Sequence, residues 1–182
     1  MELTSPALSR TTYLETVRRF FAIYSALEER LEPHLPALDR VGLEWAARRK
    51  TAWLRRDLQA LGDVHEECLS TVAPERVPRL ETLPAALGCC YVLEGATLGG
   101  QVIGRHVRQQ LALGPENGAS FFASYGALVP QKWQAFCVSL ERGLSESPAR
   151  AEAIAAAEAT FGLFLEQFGD ASLPTREAQC HD

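Results

Sequence analysis

Apolar residues recur at steps of three and four along most of the chain, which is the pattern of amphipathic helices. Near the N-terminus these positions form one broad apolar face, made of Leu14, Val17, Phe20, Phe21, Tyr24, Leu27 and Leu31. Thr12 and Glu15 have the spacing of a capping box, so we predict that the first helix begins there. Pro33 and Pro36 follow the apolar face and predict where the helix ends.

The same periodicity predicts helices over residues 43–61, 85–113, 120–125, 131–144 and 149–168. The second helix should bury Trp45, Trp53, Leu54, Leu58 and Leu61, and the last should bury Ile154, Ala157, Phe161, Phe164 and Phe168. No stretch alternates as a strand would. We therefore predict an all-α, single-domain bundle of about six helices over residues 1–182, with a frayed tail from about residue 174.

Composition narrows the class of protein. The chain has 182 residues, of which 47% are hydrophobic and 23% charged, with a net charge of −5. An acidic balance disfavours non-specific binding to nucleic acid. No apolar run approaches the ~18 residues that span a membrane, and the N-terminus lacks the features of a signal peptide. The chain has five cysteines, an odd number, and no C-x-x-C motif, so we do not expect a disulfide framework. This favours a reducing compartment, and we expect a cytoplasmic protein.

Three glycines stand out inside the apolar helix predicted over residues 85–113: Gly95, Gly99 and Gly100. Each costs about 0.5–1 kcal/mol relative to alanine within a helix. Glycine is usually found inside a helix where the helix backbone must come close to another group, because a backbone without Cβ can lie directly against another helix or a flat ligand. Both interpretations, a tight helix crossing and a ligand contact, remain open on the sequence alone.

Several common kinds of site are absent from the sequence. No glutamate lies three residues before any of the four histidines, His34, His65, His106 and His181, so a di-iron carboxylate site is excluded. His65 and Cys68 are a single pair without further ligands, and Cys180 and His181 lie in the tail, so no metal site is predicted. A nucleophile elbow and a phosphate-binding loop are also missing.

Three groups of residues have both a structural and a functional interpretation. The basic stretch of Arg48, Arg49, Lys50, Arg55 and Arg56 is either a solvated face or an anion site. Cys89 and Cys90 are either redox-active or core residues, and we predict that at least one is buried. The aromatic residues either fill the core or line a pocket for a planar ligand: Phe121, Phe122, Phe161, Phe164 and Phe168.

Residues 91–103 resemble the distal helix of heme oxygenases, most closely the bacterial type associated with phytochromes. Residues 53–62, 120–126, 132–133 and 159–161 extend the resemblance, which covers about residues 8–168. It implies a distal helix that is bent at its glycines over the heme. Gly95 and Gly99 would lie against the porphyrin, and Gly100 would support the bend. The remaining implied contacts are Leu98 near the heme, and Phe122 and Phe161 in the apolar pocket.

The resemblance also implies an activity. Heme would be both substrate and cofactor, opened to biliverdin with release of carbon monoxide and iron. An external electron donor of the ferredoxin or reductase type would supply electrons, and a bacteriophytochrome could receive the bilin. Neither nucleic acid nor a membrane is an expected partner.

The chain departs from the family pattern in three places. The family's iron ligand is a histidine on an N-terminal helix, and no histidine here precedes His34. Ala96 occupies the position of an acidic residue found in mammalian-type enzymes, and Gln134 and Val138 occupy the positions of residues that bind heme propionates. No catalytic residue or metal ligand is therefore assigned. A non-catalytic heme- or bilin-binding protein on the same fold is the alternative; a related bundle acting on another small molecule is disfavoured by the glycines.

Overall fold

A computed structural model describes residues 2–63 and 71–169, and within these ranges the chain is helical and has no strand. The helices are α1 (Arg10–Leu31), α2 (Leu35–Arg40), α3 (Thr51–Ala60), α4 (Leu83–Leu111), α5 (Ser120–Ala123), α6 (Val129–Gly143) and α7 (Ser147–Gly169). The all-α prediction is confirmed, although α2 and α5 are short. The pair His65 and Cys68, the pair Cys180 and His181, and the tail from about residue 174 lie outside the described residues.

The start of α1 differs from the capping-box prediction. Ser9 is the N-cap, and its hydroxyl oxygen accepts a hydrogen bond from the Thr12 backbone N–H at 3.0 Å. The helix begins at Arg10 and so takes in Thr12 as part of its first turn. It ends at Leu31, before Pro33, as predicted.

The helix predicted over residues 43–61 is also divided in two. Trp45–Arg48 forms a 3-10 turn, and α3 begins only at Thr51. Arg49 has extended backbone geometry between them. The break lets the side chains of Arg48 and Lys50 turn into the core, where both are almost fully buried. The prediction of one continuous helix is therefore wrong, and of the two interpretations of the basic stretch, the solvated face does not hold for Arg48 and Lys50.

The core is built around α4, which packs most extensively on α7 and also on α5 and α6. Contrary to the expectation from the sequence, α4 is long and apolar enough to suit a membrane span, but 56% of its most apolar window is buried inside the fold. Cys89 and Cys90 are both fully buried, which confirms the prediction for that pair. These observations describe α4 as the central helix of a helical bundle.

Small residues form the seam between α4 and α7. A Cβ added to Gly88 would overlap the backbone of Ala153, so the two helices are in direct contact there. The buried positions of α7 are accordingly Ala153, Ala156, Thr160 and Leu163. Burial of Ile154 and Phe161 was wrongly predicted, since these side chains are 59% and 51% exposed. The close seam accommodates alanine, whereas Ile154 and Phe161 lie on outward sides of α7.

Candidate functional site

The three glycines of α4 divide into two groups. The helix continues through all of them, from Leu83 to Leu111. A Cβ on Gly100 would lie 3.0 Å from the carbonyl oxygen of Phe122, so this glycine allows α5 to approach α4. A Cβ on Gly95 would make an ordinary contact at 3.7 Å with Trp133, and one on Gly99 would meet nothing within 4 Å. The packing of the fold therefore explains Gly100 but not Gly95 or Gly99.

An exposed apolar strip surrounds the two unexplained glycines. Tyr91, Leu98 and Val102 are exposed, and Leu98 is accessible over 46% of its surface. These residues lie at helical steps from Gly95 and Gly99 and so share one side of α4. The ring of Trp133 lies 5.7 Å from that of Tyr91 and borders this side. Contiguous exposed apolar surface is typical of an interaction or ligand-binding site.

The aromatic residues singled out in the sequence fall into two environments. Phe121 and Phe122 are buried, and the Phe122 ring lies 5.8 Å from Phe20 and 6.1 Å from Tyr13. Phe161, by contrast, projects from α7 on the same side as the exposed Ile154 and Leu165. Residues 95–100 of α4 are called the glycine segment. Phe122 is thus a core residue next to the glycine segment, whereas Phe161 is available to a ligand.

A buried charge cluster lies on the inner side of α4. The carboxylate of Glu94 is fully buried and accepts hydrogen bonds from Arg48, from Lys50 Nζ at 2.8 Å and from the Tyr125 hydroxyl at 3.1 Å. Arg48 also donates to the carbonyl oxygen of Lys132 at 3.2 Å. The four side chains of Arg48, Lys50, Glu94 and Tyr125 are called the Glu94 cluster. It joins α4 to the turn before α3 and to the beginning of α6.

The electrostatics of the Glu94 cluster result from its burial. Desolvation lowers the pKa of Lys50, and the nearby Glu94 carboxylate opposes this shift. Desolvation, together with the charge of Glu94, raises the pKa of Tyr125. Lys50 Nζ also donates to the carbonyl oxygen of Arg48 at 2.8 Å. The cations of the cluster therefore depend on Glu94 for compensation, because removal of one partner leaves a buried charge uncompensated.

Two further buried carboxylates organise the helices next to the site. Glu28 accepts hydrogen bonds from the Lys50 backbone N–H at 2.6 Å and from the Thr51 hydroxyl at 2.7 Å, which fixes the start of α3. Asp57 accepts from the backbone N–H groups of Ser120 and Phe121 at 2.7 and 2.8 Å. These bonds satisfy the free N–H groups at the start of α5. Burial raises the pKa of Asp57, and the hydrogen bonds from α5 oppose that shift.

A small cleft connects the charge cluster with the glycine segment. Its lining includes Lys50, Tyr24, Ala96 and Gly100. Lys50 and Tyr24 are buried, whereas Ala96 is exposed, so the cleft leads from the interior to the surface beside the glycines. Ala96 offers no polar side chain at this opening.

Neither described histidine is free to serve as a ligand at the glycine segment as the structure stands. A ring nitrogen of His34 is hydrogen bonded to the carbonyl oxygen of Leu80. His106 lies on α4, about 10 Å of helix rise beyond Gly99, and its ring nitrogen is 2.8 Å from the carbonyl oxygen of Ser5. No group of three or more potential metal ligands occurs in residues 2–63 and 71–169.

The Glu94 cluster was not predicted from the sequence. The available signal was a lone carboxylate at residue 94 in an otherwise apolar helix, together with the cations at residues 48 and 50. Charged residues are almost never fully buried unless they are paired, so a buried Glu94 would require a cation as its partner. The sequence does not show that Arg48 and Lys50 are these partners, because they lie more than 40 residues away from it.

Similarity to known proteins shows the family of this chain. Residues 2–170 match the sequence model of the family described as heme oxygenase. The chain belongs to the heme oxygenase family. A heme oxygenase of Xanthomonas campestris pv. campestris (strain 8004) is 34% identical over 156 residues, which cover 84% of this chain and 86% of that protein.

Solved heme oxygenases share the fold of this family member. The heme oxygenase structure from Leptospira interrogans superimposes with a TM-score of 0.76 at 20% identity, covering 93% of this chain and 87% of the other. The NO- and CO-bound heme oxygenase from Neisseria meningitidis gives a TM-score of 0.68 at 25% identity, with coverage of 96% and 86%. The predicted family and the predicted fold class are thereby confirmed.

Proposed function

We propose that this chain binds heme against the exposed apolar strip of α4 and opens it oxidatively to biliverdin, with release of carbon monoxide and iron. The observation that carries the proposal is the open space at Gly99, where a Cβ would meet nothing within 4 Å. A glycine that costs helix stability and serves no contact within the fold is explained by a ligand that approaches the backbone. Membership of the heme oxygenase family identifies heme as that ligand.

The residues present fit one face of a porphyrin. Gly99 leaves the backbone of α4 uncovered on its outer side, Gly95 is bordered there by the Trp133 ring, and Leu98 provides exposed apolar surface. We propose that Gly95 and Gly99 contact the ring and that Leu98 and Phe161 cover its edges. Gly100 and Phe122 act indirectly, because their mutual contact holds α5 against the inner side of the glycine segment.

The bound heme iron supplies the oxygen chemistry, and the protein supplies the surface that orients the ring. The outer side of the glycine segment excludes water from the ring through apolar contact. Behind it, the Lys50 ammonium and the Tyr24 hydroxyl lie at the inner part of the cleft beside Gly100. Thr97 is the third residue of the cleft lining whose side chain bears an exchangeable proton, and its hydroxyl donates to the carbonyl oxygen of Glu94.

Among the described residues, a histidine would have to be released from its present hydrogen bond to hold the iron of a bound heme. His34 and His106 are both engaged with backbone carbonyl oxygens. This observation favours, as a second candidate, a protein that holds heme or a bilin on the same fold without turnover. The two candidates share the glycine segment and differ only in whether the bound ring is opened.

The finer expectations rest on the family alone. We propose that residues 1–182 form a single heme-oxygenase-like domain, in agreement with a family match over residues 2–170. We also propose a cytoplasmic location, an external electron donor of the ferredoxin or reductase type, and a bacteriophytochrome as a recipient of the bilin. Neither nucleic acid nor a membrane is a proposed partner, and the net charge of −5 supports the first of these exclusions.

Hemin titration, with subsequent reduction in the presence of oxygen, tests the proposal. The chain should shift the Soret band of hemin and then produce the absorption bands of biliverdin. Gly99→Leu should weaken hemin binding at least about tenfold, since the new side chain occupies the contact surface. Gln109→Leu is the matched control, because it places the same side chain on an exposed position of α4 about 15 Å further along the helix.

Each result has a distinct meaning. Binding without biliverdin identifies the non-catalytic candidate, and the absence of any Soret shift contradicts both. Equal hemin affinity of Gly99→Leu and the control contradicts the placement of the ring on α4. Spectra of His34→Ala and His106→Ala then show whether either imidazole reaches the iron when hemin is bound.

A further inference from the structure

We propose that Glu94 is a positioning residue for the heme-contacting glycines, through the buried ion pairs that hold its carboxylate. The proposal rests on the proposed function for the identity of the ligand. Glu94 directly precedes Gly95 in α4, so the two positions lie about 100° apart around the helix. The Glu94 side chain is fully buried, whereas Gly99 is exposed. Hydrogen bonds on the buried side of a helix fix the position of the helix and its rotation about its own axis, and so determine how its exposed side faces a ligand.

The first argument is that the cluster joins α4, directly before Gly95, to two neighbouring segments: the turn before α3 and the stretch from Tyr125 to the beginning of α6. Arg48 and Lys50 reach Glu94 from the turn before α3, and Tyr125 reaches it from the segment after α5. Arg48 also binds the backbone of Lys132, the residue next to Trp133. Trp133 in turn lies against Gly95. One carboxylate thus links Gly95 and its aromatic neighbour Trp133 to the turn before α3.

The second argument is that α4 has few other polar side chains near the glycines. Gln101, which is exposed, donates to the carbonyl oxygen of Gly126 at 2.7 Å, and Glu94 is the buried side chain that bonds to neighbouring segments. Between Leu87 and Gly104 the helix consists mainly of apolar and small residues. Apolar packing is non-directional, whereas charged hydrogen bonds are geometrically specific. Thr97 bonds to the carbonyl oxygen of Glu94 itself, at 2.7 Å, and so reinforces the same turn of α4 without joining it to a neighbour.

The third argument is the cost of the arrangement. Glu94 is 0% and Lys50 1% exposed, and burying such charges carries a desolvation penalty that apolar residues would avoid. A buried ion cluster is therefore weak evidence for stability alone, and its specific geometry is better explained by placement of the helix. The neighbouring cleft, lined by both Lys50 and Gly100, puts this placement next to the ligand surface.

The experiment separates positioning from stability by comparing two variants. Glu94→Gln removes the carboxylate and leaves both cations uncompensated. The triple variant Arg48→Met, Lys50→Met and Glu94→Met removes all the charges and replaces them with apolar side chains, which is often neutral or stabilising. Leu58→Ala, a buried residue of α3 outside the cluster, is the control for loss of stability alone.

The first measurement is hydrogen–deuterium exchange of the ligand-free chain, which does not depend on the proposed function. Amides of residues 95–103 should exchange at least about tenfold faster in the triple variant, the effect expected when charged hydrogen bonds are lost. Amides of residues 85–90 in the same helix should keep their exchange rates. Leu58→Ala should accelerate both segments alike or neither.

The second measurement is the rate at which bound hemin transfers to a heme-scavenging apoprotein. The triple variant should release hemin about fivefold faster than the unaltered chain, a typical size for coupling between sites. A triple variant with recovered thermal stability and unchanged exchange and release would overturn the positioning role. If the unaltered chain binds no hemin but the exchange result holds, the proposed function fails while the anchoring of the glycine segment by Glu94 stands.

Discussion

Replacing Gly99 with alanine should stabilise the ligand-free chain. Gly99 lies in the middle of α4, and an added Cβ would meet nothing within 4 Å. The substitution therefore gains helix propensity without a steric cost, worth about 0.5–1 kcal/mol in the free energy of unfolding. For a chain of this size the melting temperature should rise by about 1–4 °C.

Gly88→Ala provides the matched comparison within the same helix. The helix propensity gain is the same, but the new Cβ would overlap the backbone of Ala153 in α7. Overpacking of this kind costs about 1–3 kcal/mol, and a backbone obstacle places this site towards the upper end. The expected net loss is about 2 kcal/mol, or about 4–8 °C in the melting temperature.

Thermal unfolding monitored by circular dichroism, with ligand-free chain at one fixed concentration, measures both changes. A lower melting temperature for Gly99→Ala would refute the reasoning, since the fold itself would then require a glycine at that position. An unchanged melting temperature for Gly88→Ala would show that α4 and α7 can separate at the seam without cost. Opposite signs for the two variants are the expected result.

The buried polar and sulfur groups can be tested in two further ways. Asp57→Asn should lower the free energy of unfolding by about 1–3 kcal/mol, measured by urea titration, because an amide cannot accept all the hydrogen bonds from Ser120 and Phe121; an unchanged midpoint would contradict the role of Asp57 at the start of α5. Burial raises the pKa of Cys89 to about 12, so this residue stays a thiol at pH 8. A thiol reagent should therefore label the more exposed Cys137 but not Cys89, and mass spectrometry of the labelled chain measures the difference.

The sequence predicted the helices well because their apolar periodicity is strong. It placed α4 within about two residues at each end, and it located the glycine segment inside that helix. It failed where periodicity carries no information. Helix α7 is apolar on several sides, so the pattern could not show that its alanines pack at the seam while Phe161 faces outward.

The polar part of the site was harder to predict. Arg48 and Lys50 resemble an ordinary basic surface in the sequence, and the partner that buries them is more than 40 residues away. A buried ion pair depends on the tertiary fold, which brings the turn before α3 against α4. The packing role of Gly100 could not be predicted either. Its close neighbour is the backbone of Phe122, and every residue type has the same backbone, so the sequence gives no sign of this contact.

Because the apolar strip is exposed, the yield of soluble, folded chain should depend on the concentration of the ligand that covers the strip. Tyr91, Leu98 and Val102 expose 44%, 46% and 56% of their surfaces, and uncovered surface of this kind favours self-association. A ligand that covers the strip stabilises the folded chain by mass action, by about 2.7 kcal/mol at a free concentration of 100 times its Kd. With heme as the proposed ligand of this strip, the yield of soluble chain during expression should depend on the heme content of the cells, so that growth conditions act on this protein as strongly as many point mutations do.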